Sequence, residues 1–447
     1  MHDKERALDV IEFIQMLHHT GDFYGEPFLL LDWQYQVIWD VYGTVNESGY
    51  RQYRYAYLEI PKKNGKALAV DTPIPTPDGW KTMGQLCVGD KIFDENGKVC
   101  SVTFATDVMH GHTCYRVCFS DGTSIIADAE HNWLTNAWID NPGHVKSKTV
   151  NQGKRAYSGS IARVRTTEEI RQTLKVNGGT TNNHSIAVCS PLELPDAELP
   201  IPPYTLGAWL GDGVSGRASI VCDSKDYAII ERIIAEGVPV KKYKKKDRTT
   251  EYGLTTGGRS STDRRNSIQK ALRDMGILSN KYIPAVYLRA SIQQRKALLQ
   301  GLMDTDGYVS KAGQCEFVTV RKNICDGVLE LLRSLGYKPT LKVDKARVNG
   351  KECGDRYRIQ FWSFKDDPCF TLQRKVNRLK DSAEQMTRSK NRHITDVIPV
   401  DSVPVKCIQV DSESHLYLAG EGMIPTHNTE LVAGLALYHL YNDPPSG

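Results

Sequence analysis

The strongest constraint in the sequence is a phosphate-binding loop that stops halfway. Residues 53–60 (YRYAYLEI) alternate as a strand does, and PKKNGK at 61–66 supplies the glycine and lysine of such a loop. A complete loop then needs a Ser or Thr hydroxyl for the metal of the nucleotide, followed by a helix. The matching hydroxyl is Thr429, and ELVAGLALYHLY after it is typical of a helix. Residues 67–428 are therefore predicted to be an insertion within one nucleotide site.

Composition indicates a soluble protein of several domains. The 447 residues are 40% hydrophobic and 25% charged, and no run of eighteen apolar residues suggests a membrane span. No secretion signal is evident, so we expect the cytoplasm of a bacterial host cell and no membrane partner. The eleven cysteines include no CxxC pair, which argues against disulfides and zinc ribbons and favours a reactive thiol. The net charge of +4 is too small to indicate a nucleic-acid partner by itself.

The edges of the insertion resemble those of an intein, a segment that excises itself and ligates its flanks. The resemblance rests on ALAVDTPIPTPDGWKTMGQL at the start, ADAEHNWL, and THN before Thr429. The side-chain amide of Asn428 can attack its own backbone carbonyl and cut the chain, while His427 polarises that carbonyl or protonates the leaving amine. The predicted splice junctions are thus Lys66–Ala67 and Asn428–Thr429.

The first residue of the insertion departs from the common intein pattern. Most inteins begin with Cys or Ser, whereas Ala67 offers no nucleophile. Three explanations are open: Ala67 replaces an original cysteine in an engineered trap, Thr429 attacks the Lys66 carbonyl directly, or another residue takes the acyl group first. The hydroxyl of threonine is a weak nucleophile, so direct attack is the least attractive.

A thiol at another position matches the third explanation. Cys407 in VPVKCIQV, Trp133 in ADAEHNWL and Thr426 before the final junction correspond to the Trp-Cys-Thr signature of class 3 inteins. That resemblance implies that Cys407 forms a branched thioester and passes the acyl group to Thr429. It also implies that splicing needs no cofactor and that the intein is monomeric.

Three further residues are assigned to the splicing site by the same resemblance. His131 is expected to activate the Lys66–Ala67 peptide by donating to its nitrogen. Asp128 stands where commoner inteins have threonine, and we assign it to the same hydrogen-bond set. His415 in SESHLYLAG matches a histidine that often assists asparagine cyclisation.

Two copies of a second motif lie inside the insertion. YTLGAWLGDGV (204–214) and LLQGLMDTDGYV (298–309) resemble the paired helices of LAGLIDADG homing endonucleases. Small residues let two such helices pack closely, and each helix brings an acid, Asp212 or Asp306, to a shared edge. Two carboxylates suit Mg²⁺ and the cleavage of a phosphodiester. Lys281 matches a lysine that the family places near the first site.

Basic segments after each motif indicate double-stranded DNA, the homing site, as the partner. In this family a β-ribbon that follows each helix lies in the major groove, where phosphates give affinity and base edges give sequence. After the first motif the basic residues are Lys241, Lys242, Lys244, Lys245, Lys246, Arg248, Arg259, Arg264 and Arg265, and after the second they are Lys342, Lys345, Arg347 and Lys351.

The joined flanks resemble the ATPase motor of a phage terminase large subunit. The match includes the Trp33-Gln34 pair, and it implies that Gly65, Lys66 and Thr429 bind phosphate after splicing. Ile60 stands where the usual pattern has its first glycine. ATP and Mg²⁺ are expected only in the complete spliced host, and the fragment present here is expected to be inactive as an ATPase.

The predicted fold is a mainly β Hint (hedgehog/intein) horseshoe split by an α+β LAGLIDADG domain, with flanks from an α/β P-loop ATPase. The predicted boundaries are 1–66 for the N-terminal flank, 67–195 and 386–428 for the splicing domain, 196–385 for the endonuclease, and 429–447 for the C-terminal flank. Two alternative functions remain: a trapped Cys-to-Ala class 1 precursor, and a P-loop ATPase with a DNA-binding insertion that is never excised.

Overall fold

The chain divides into two compact units, residues 1–62 and 63–447. The computed structural model describes residues 2–16, 30, 32–50, 52–53, 66–140, 162–176, 178–246, 248–254, 267–348, 351–382 and 390–427. The first unit contains helices α1 (Lys4–Met16) and α2 (Asp32–Gly43), and α1 buries Ala7, Val10 and Ile11. Most of the predicted strand at 53–60 and the predicted helix after Thr429 lie outside the described residues.

The second unit begins with a β region. Its elements are β1 (Leu68–Ala69), β2 (Pro73–Thr76), β3 (Gly79–Thr82), β4 (Lys91–Phe93), β5 (Val99–Ala105), β6 (Cys114–Phe119), β7 (Ser124–Asp128), β8 (Asn132–Ala137), β9 (Arg163–Thr166), α3 (Thr167–Gln172), β10 (Lys175–Val176), β11 (Thr181–Asn182) and β12 (His184–Ala187). Hairpins form at β4–β5 and β6–β7. Gly97 and Gly122 in their turns both have positive φ, which glycine adopts without steric cost.

The inserted domain has two halves, and each places a helix before an antiparallel sheet. The first half contains α4 (Pro203–Asp212), β13 (Ser219–Asp223), α5 (Ala228–Ala235), β14 (Val240–Lys246), β15 (Thr249–Leu254) and α6 (Ile268–Asp274). The second contains α7 (Ala285–Leu288), α8 (Ile292–Thr305), β16 (Gly307–Val309), β17 (Gln314–Thr319), α9 (Lys322–Ser334), β18 (Thr340–Val348), β19 (Lys351–Trp362) and α10 (Gln373–Val376). The sheet orders are β13-β15-β14 and β16-β17-β19-β18.

Helices α4 and α8 pack together at the centre of this domain. A Cβ on Gly207 would lie 2.2 Å from the Leu298 carbonyl oxygen, and one on Gly301 would lie 2.2 Å from the Tyr204 carbonyl oxygen. Because no side chain fits at either position, the two glycines permit the close contact expected from the motif.

The chain then returns to the β region. The last strands are β20 (Asn391–Val400), β21 (Val405–Lys406), β22 (Ile408–Val410), β23 (Leu416–Ala419) and β24 (Ile424–His427). Strands β20 and β21 join an eight-stranded sheet of order β21-β1-β7-β6-β20-β12-β8-β9. A β domain interrupted by an α/β domain is thus observed. Outside the inserted α/β domain, the described part of the second unit is mostly β.

Charged side chains join the two domains of the second unit. Arg289 Nη1 donates to Glu330 at 2.7 Å, and its guanidinium also reaches the carbonyl oxygens of Thr76 and Gly79 in the β2–β3 hairpin. Trp80 of that hairpin donates to Glu330 at 2.9 Å. These contacts fix the inserted domain against the β domain.

Candidate splicing and endonuclease sites

The strand that starts the insertion lies between two neighbours that carry predicted site residues. In the antiparallel pairing of β1, Leu68 is opposite Lys406 of β21 on one side and Ala127 of β7 on the other. Moving one residue toward the junction brings Ala67 opposite Cys407 and Asp128. The Asp128 N–H indeed donates to the Ala67 carbonyl oxygen at 3.0 Å.

The pairing register also sets the direction of the side chains. Directly opposite residues on antiparallel strands project to the same face of a sheet. Ala67 is fully buried and Cys407 is 7% exposed, and the two belong to one small apolar cluster with Cys114 and Val405. The Cys407 thiol is therefore on the same face as the first residue of the insertion.

The backbone of Cys407 is fixed by a neighbouring segment. The Cys407 N–H donates to Thr106 Oγ1 at 3.1 Å, and the Thr106 N–H donates to the Cys407 carbonyl oxygen at 3.0 Å. Met109 exchanges two backbone hydrogen bonds with Val405, at 2.8 and 2.9 Å. The strand that carries the thiol is thus held on both sides.

Lys66, the residue before the N-terminal junction, has a strained backbone. Its φ of 79° lies in the left-handed region, which costs a non-glycine residue about 1–3 kcal/mol and persists only where the surroundings hold the backbone there. Its N–H donates to Asp128 Oδ1 at 3.0 Å. Oδ2 of the same carboxylate lies 3.0 Å from His112 Nδ1.

The environment of Asp128 differs from that of an exposed turn residue. The residue is 1% exposed. Burial raises the pKa of its carboxyl group, while hydrogen bonds from the Ala67 backbone, from His112 and from the Lys66 backbone oppose that rise. The carboxylate is thus directed at the amides on both sides of the predicted junction.

His131 lies among the other residues of the predicted signature. Its Nε2 is hydrogen-bonded to Thr426 Oγ1, and its ring meets the edge of Trp133 at 4.8 Å between centroids. Trp133 Nε1 donates to Thr167 Oγ1 at 3.0 Å, and that hydroxyl donates to the His131 carbonyl oxygen at 3.2 Å. Trp133 and Thr426 therefore fix the ring of His131.

The same surroundings keep the imidazole of His131 neutral. Burial lowers the pKa of His131 to about 3, and the nearby Lys66 backbone acts in the opposite direction. Nδ1 is buried and has no hydrogen-bond partner among the described residues. The activation of the Lys66–Ala67 peptide by His131 stays a prediction: in the structure its Nε2 bonds to Thr426, and the Lys66 N–H donates to Asp128.

The C-terminal edge brings two histidines together. His427 is paired with Leu416 across β23 and β24, and its ring centroid lies 6.5 Å from that of His415. His415 has a φ of 57°, in the left-handed region. Asn428 and Thr429 lie outside the described residues, as do Gly65, Arg264 and Arg265.

The two endonuclease acids meet where α4 and α8 end. A Cβ on Gly211 would lie 3.4 Å from Asp306 Oδ2, so the Asp306 carboxylate reaches the backbone beside Asp212. Burial first, and then the charge of Asp306, raise the pKa of Asp212 to about 6. Burial also raises the pKa of Asp306. Two crowded carboxylates at a polar edge suit a divalent cation such as Mg²⁺, which proteins hold through one or two carboxylates while it keeps several waters.

A buried lysine caps each of these helices. Lys281 Nζ donates to the carbonyl oxygens of Trp209, Leu210, Gly211 and Gly213 at 2.8–3.1 Å. Lys375 Nζ does the same for Met303, Asp304 and Gly307 at 2.7–2.8 Å. Burial lowers the pKa of both lysines to about 8. Lys281 is therefore no solvated surface residue, and Lys375 is its counterpart in the second half.

The predicted DNA-contacting residues lie on the sheets of the inserted domain. Lys241 and Lys242 are exposed on β14, and Arg248 is exposed between β14 and β15. Lys244, Lys245 and Lys246 belong to β14, but their side chains lie outside the described set. On the second sheet Lys345 and Arg347 of β18 pair with Asp355 and Glu352, so part of the positive charge there is neutralised.

Comparison with known proteins supports the interpretation of the inserted domain as similar to homing endonucleases. The family model for homing endonucleases matches residues 282–363. A replicative DNA helicase DnaB of Mycobacterium intracellulare is 41% identical over 371 residues, which are 82% of this chain and 59% of the relative. A homothallic switching endonuclease of Saccharomyces cerevisiae is 30% identical over 186 residues, which cover 35% of this chain and 31% of that protein. A crystal structure described as the Msm DnaB1 intein splicing domain bound with zinc matches with a TM-score of 0.26 and 19% identity, covering 81% of this chain and all of that one.

Residues 282–363 lie within the inserted domain, so the prediction that this domain resembles a homing endonuclease is confirmed. The chain spans about three fifths of the helicase sequence, and the matched stretch is far longer than both flanks together, so the similarity lies mainly within the insertion. The terminase resemblance of the flanks is not supported, because the relatives that match over 371 and over 75 residues are both described as replicative DNA helicases.

Sequence reasoning missed two residues of the intein-like and endonuclease sites. Lys375 follows Asp306 by 69 residues, the same spacing as from Asp212 to Lys281, and this repeated spacing could have identified it, whereas His112 in HGHTCYRV has no pattern that distinguishes it from a surface histidine. His112 is recognised only by its contacts in the folded chain. In the described part of the chain no helix is long and apolar enough to cross a membrane, and no group of three or more His, Cys, Asp or Glu side chains forms a metal cluster.

Proposed function

We propose that residues 67–428 excise themselves through Cys407, the mechanism of class 3 inteins. The supporting observation is the register of β1 and β21, which, continued by one residue past Leu68 and Lys406, sets Cys407 opposite Ala67, together with the burial of both residues in one cluster. Ala67 offers no nucleophile, so the thiol across the strand pair takes that role.

In the first step the Cys407 sulfur attacks the Lys66 carbonyl carbon. A thioester forms between Lys66 and Cys407, the Lys66–Ala67 bond breaks, and the thiol proton ends on the Ala67 amine. Asp128 accepts hydrogen bonds from the amides at this bond and holds Lys66 in its left-handed conformation. Release of the backbone strain at Lys66 then favours the broken bond.

In the later steps the acyl group moves to the second flank. The Thr429 hydroxyl attacks the thioester, which frees the Cys407 thiol and makes an ester. The Asn428 side-chain amide attacks its own carbonyl, forming a succinimide and releasing the Thr429 amine. That amine attacks the ester and leaves a peptide bond between Lys66 and Thr429. His427, with His415 beside it, assists the cyclisation.

His131 acts at the first junction as a neutral group. Its imidazole is uncharged at physiological pH because burial lowers its pKa. Nε2 is bonded to Thr426 and the ring packs against Trp133. The other ring nitrogen, Nδ1, is therefore the one available to the nearby Lys66 backbone. We assign His131 the polarisation of the Lys66 carbonyl, and Trp133 and Thr426 its orientation.

A thiol-trapping experiment tests the thioester. In an Asn428→Ala chain cyclisation is blocked, and an added thiol such as dithiothreitol should release residues 1–66 by attacking the Cys407 thioester. The same chain with Cys407→Ala should release nothing. Equal release from both chains would contradict the role of Cys407, and no release from either would favour the trapped class 1 precursor.

The inserted domain is proposed to cut double-stranded DNA. Its support is the meeting of Asp212 and Asp306 at the ends of two helices that only glycines allow to pack so closely. A divalent cation held there, which we propose to be Mg²⁺, would supply an activated water and stabilise the leaving oxygen. Lys281 and Lys375 hold the two helix ends, and the exposed lysines of β14 bind the backbone of the DNA.

Cleavage of an intein-less host gene tests this proposal. Linearised product should require a divalent cation, and Asp212→Asn or Asp306→Asn should each abolish the double-strand cut. Bound but uncut DNA with the unchanged chain would favour a DNA-binding insertion without nuclease activity.

For the host protein, formed by joining the two flanks, we propose only that it binds a nucleotide. Splicing would place Thr429 directly after Gly65-Lys66 and complete a phosphate-binding loop. The spliced flanks, rather than the precursor, would then bind ATP with Mg²⁺. Binding of a fluorescent ATP analogue to the complete spliced host, and its loss with Lys66→Ala, tests this assignment.

A further inference from the structure

We propose that His112 is a positioning residue for cleavage at the Lys66–Ala67 junction. It acts through Asp128, whose carboxylate it holds against the backbone N–H of Lys66, the residue before the junction. This inference rests on the proposed splicing function and adds a residue to that site.

The two carboxylate oxygens of Asp128 accept hydrogen bonds from different residues. Oδ2 receives His112 Nδ1 at 3.0 Å, and Oδ1 receives the Lys66 N–H at 3.0 Å. The Asp128 side chain is 2% exposed and that of His112 is 14% exposed, so water competes little for either bond. A buried charge-assisted hydrogen bond of this kind fixes the plane of a carboxylate. Without His112, the carboxylate is free to turn away from Lys66.

The segment that carries His112 also contacts the strand of the nucleophile. Thr106 bonds to the backbone of Cys407, Met109 bonds to Val405, and Cys114 lies opposite Asp128 in the pairing of β6 with β7. The Cys114 thiol also makes a weak hydrogen bond to the His112 carbonyl oxygen at 3.4 Å. One short segment thereby sets the positions of both the attacking thiol and the carboxylate that binds Lys66, the residue before the scissile bond.

A role in positioning makes a different prediction from a role in folding. Loss of the Asp128 orientation should slow the attack on Lys66 only, because Asn428 and its histidines lie at the other junction. Loss of fold would slow cleavage at both junctions. Asn offers a side-chain N–H near the position of Nδ1 and should substitute for histidine, whereas Ala should not.

The experiment uses the full chain with Asn428→Ala and the release of residues 1–66 by dithiothreitol, followed by intact mass. His112→Ala should lower the initial rate roughly tenfold or more, since a hydrogen bond to a charged group is lost. His112→Asn should stay within about threefold of the parent. His110→Ala, an exposed histidine two residues away, is the matched control and should change nothing.

The second junction provides the readout that separates positioning from folding. In a Cys407→Ala chain that keeps Asn428, cyclisation of the asparagine releases residues 429–447 without any attack on Lys66. The rate of that release should be the same whether position 112 is unchanged or carries the His112→Ala substitution.

Three results would overturn the inference. Equal rates for His112→Ala and His110→Ala would show that His112 does not position the junction. A parallel fall at both junctions, without recovery in His112→Asn, would make His112 a residue of the fold only. If the Asn428→Ala parent itself released nothing, the splicing proposal would fail and this inference with it.

Discussion

Among single residues, the mechanism depends on which cysteine is the nucleophile. Cys407 and Cys114 share one buried cluster with Ala67, but only Cys407 lies opposite Ala67 in the strand register. We predict that Cys407→Ala abolishes ligation of the flanks, whereas Cys114→Ala leaves ligation within a few-fold of the parent. Both variants remove one buried thiol, so a shared loss of stability is controlled. Intact masses after expression distinguish the two results, and ligation that survives Cys407→Ala would contradict the mechanism.

A second prediction for a single residue concerns Asp212 and pH. Its pKa of about 6 lies above the ordinary value, and the ionised form binds metal, so affinity rises as pH rises through this pKa. From pH 7 to pH 5 the ionised fraction falls about tenfold, whereas an ordinary aspartate stays mostly ionised over that range. Calorimetric titration with Mg²⁺ should show affinity falling by about that factor.

The control for this prediction is Asp306→Asn. Removing the neighbouring charge lowers the pKa of Asp212, so the fall in affinity should move to lower pH even if overall affinity is weaker. A Mg²⁺ affinity that is constant between pH 5 and 7 in the unchanged chain would contradict the crowding of the two carboxylates.

Among the helices and strands, the central helix pair depends on Gly301. A Cβ there would lie 2.2 Å from the Tyr204 carbonyl oxygen, so Gly301→Ala must push α4 and α8 apart. We expect the free energy of unfolding of the inserted domain to fall by about 3 kcal/mol, as overpacking of a close contact does. Gly216→Ala is the control, because a Cβ there meets nothing within 4 Å, and it should stay within about 0.5 kcal/mol. Urea denaturation measures both, and equal stability of the two variants would contradict the packing described.

The sequence predicted local elements well for a physical reason. Asn96-Gly97 and Asp121-Gly122 supply the positive φ that tight turns need, so the two hairpins around them follow from neighbours in the chain. The α4–α8 pair follows from its small residues. The pairing of β1 with β21 joins residues more than three hundred positions apart, and no local pattern encodes that register. Only the intein resemblance suggested Cys407, and His112 was visible only after folding.

For the molecule as a whole, the proposed splicing mechanism predicts a chain that does not persist. Strand β1 at the start of the insertion pairs with β21, which lies about twenty residues before its end, while Arg289 of the inserted domain contacts the β2–β3 hairpin. Cutting DNA and excising the insertion therefore use separate residues. Asp212→Asn should remove DNA cleavage and leave splicing intact, and Cys407→Ala should have the opposite effect. Loss of both activities in either variant would contradict this separation.

The intact mass of the chain after expression decides whether the insertion leaves by way of Cys407. Self-excision predicts two products with Ala67 in place: the free segment 67–428, and a peptide in which Lys66 is joined to Thr429. Cys407→Ala should yield no joined peptide. A single unchanged species of 50.1 kDa from the unaltered sequence would contradict self-excision through Cys407.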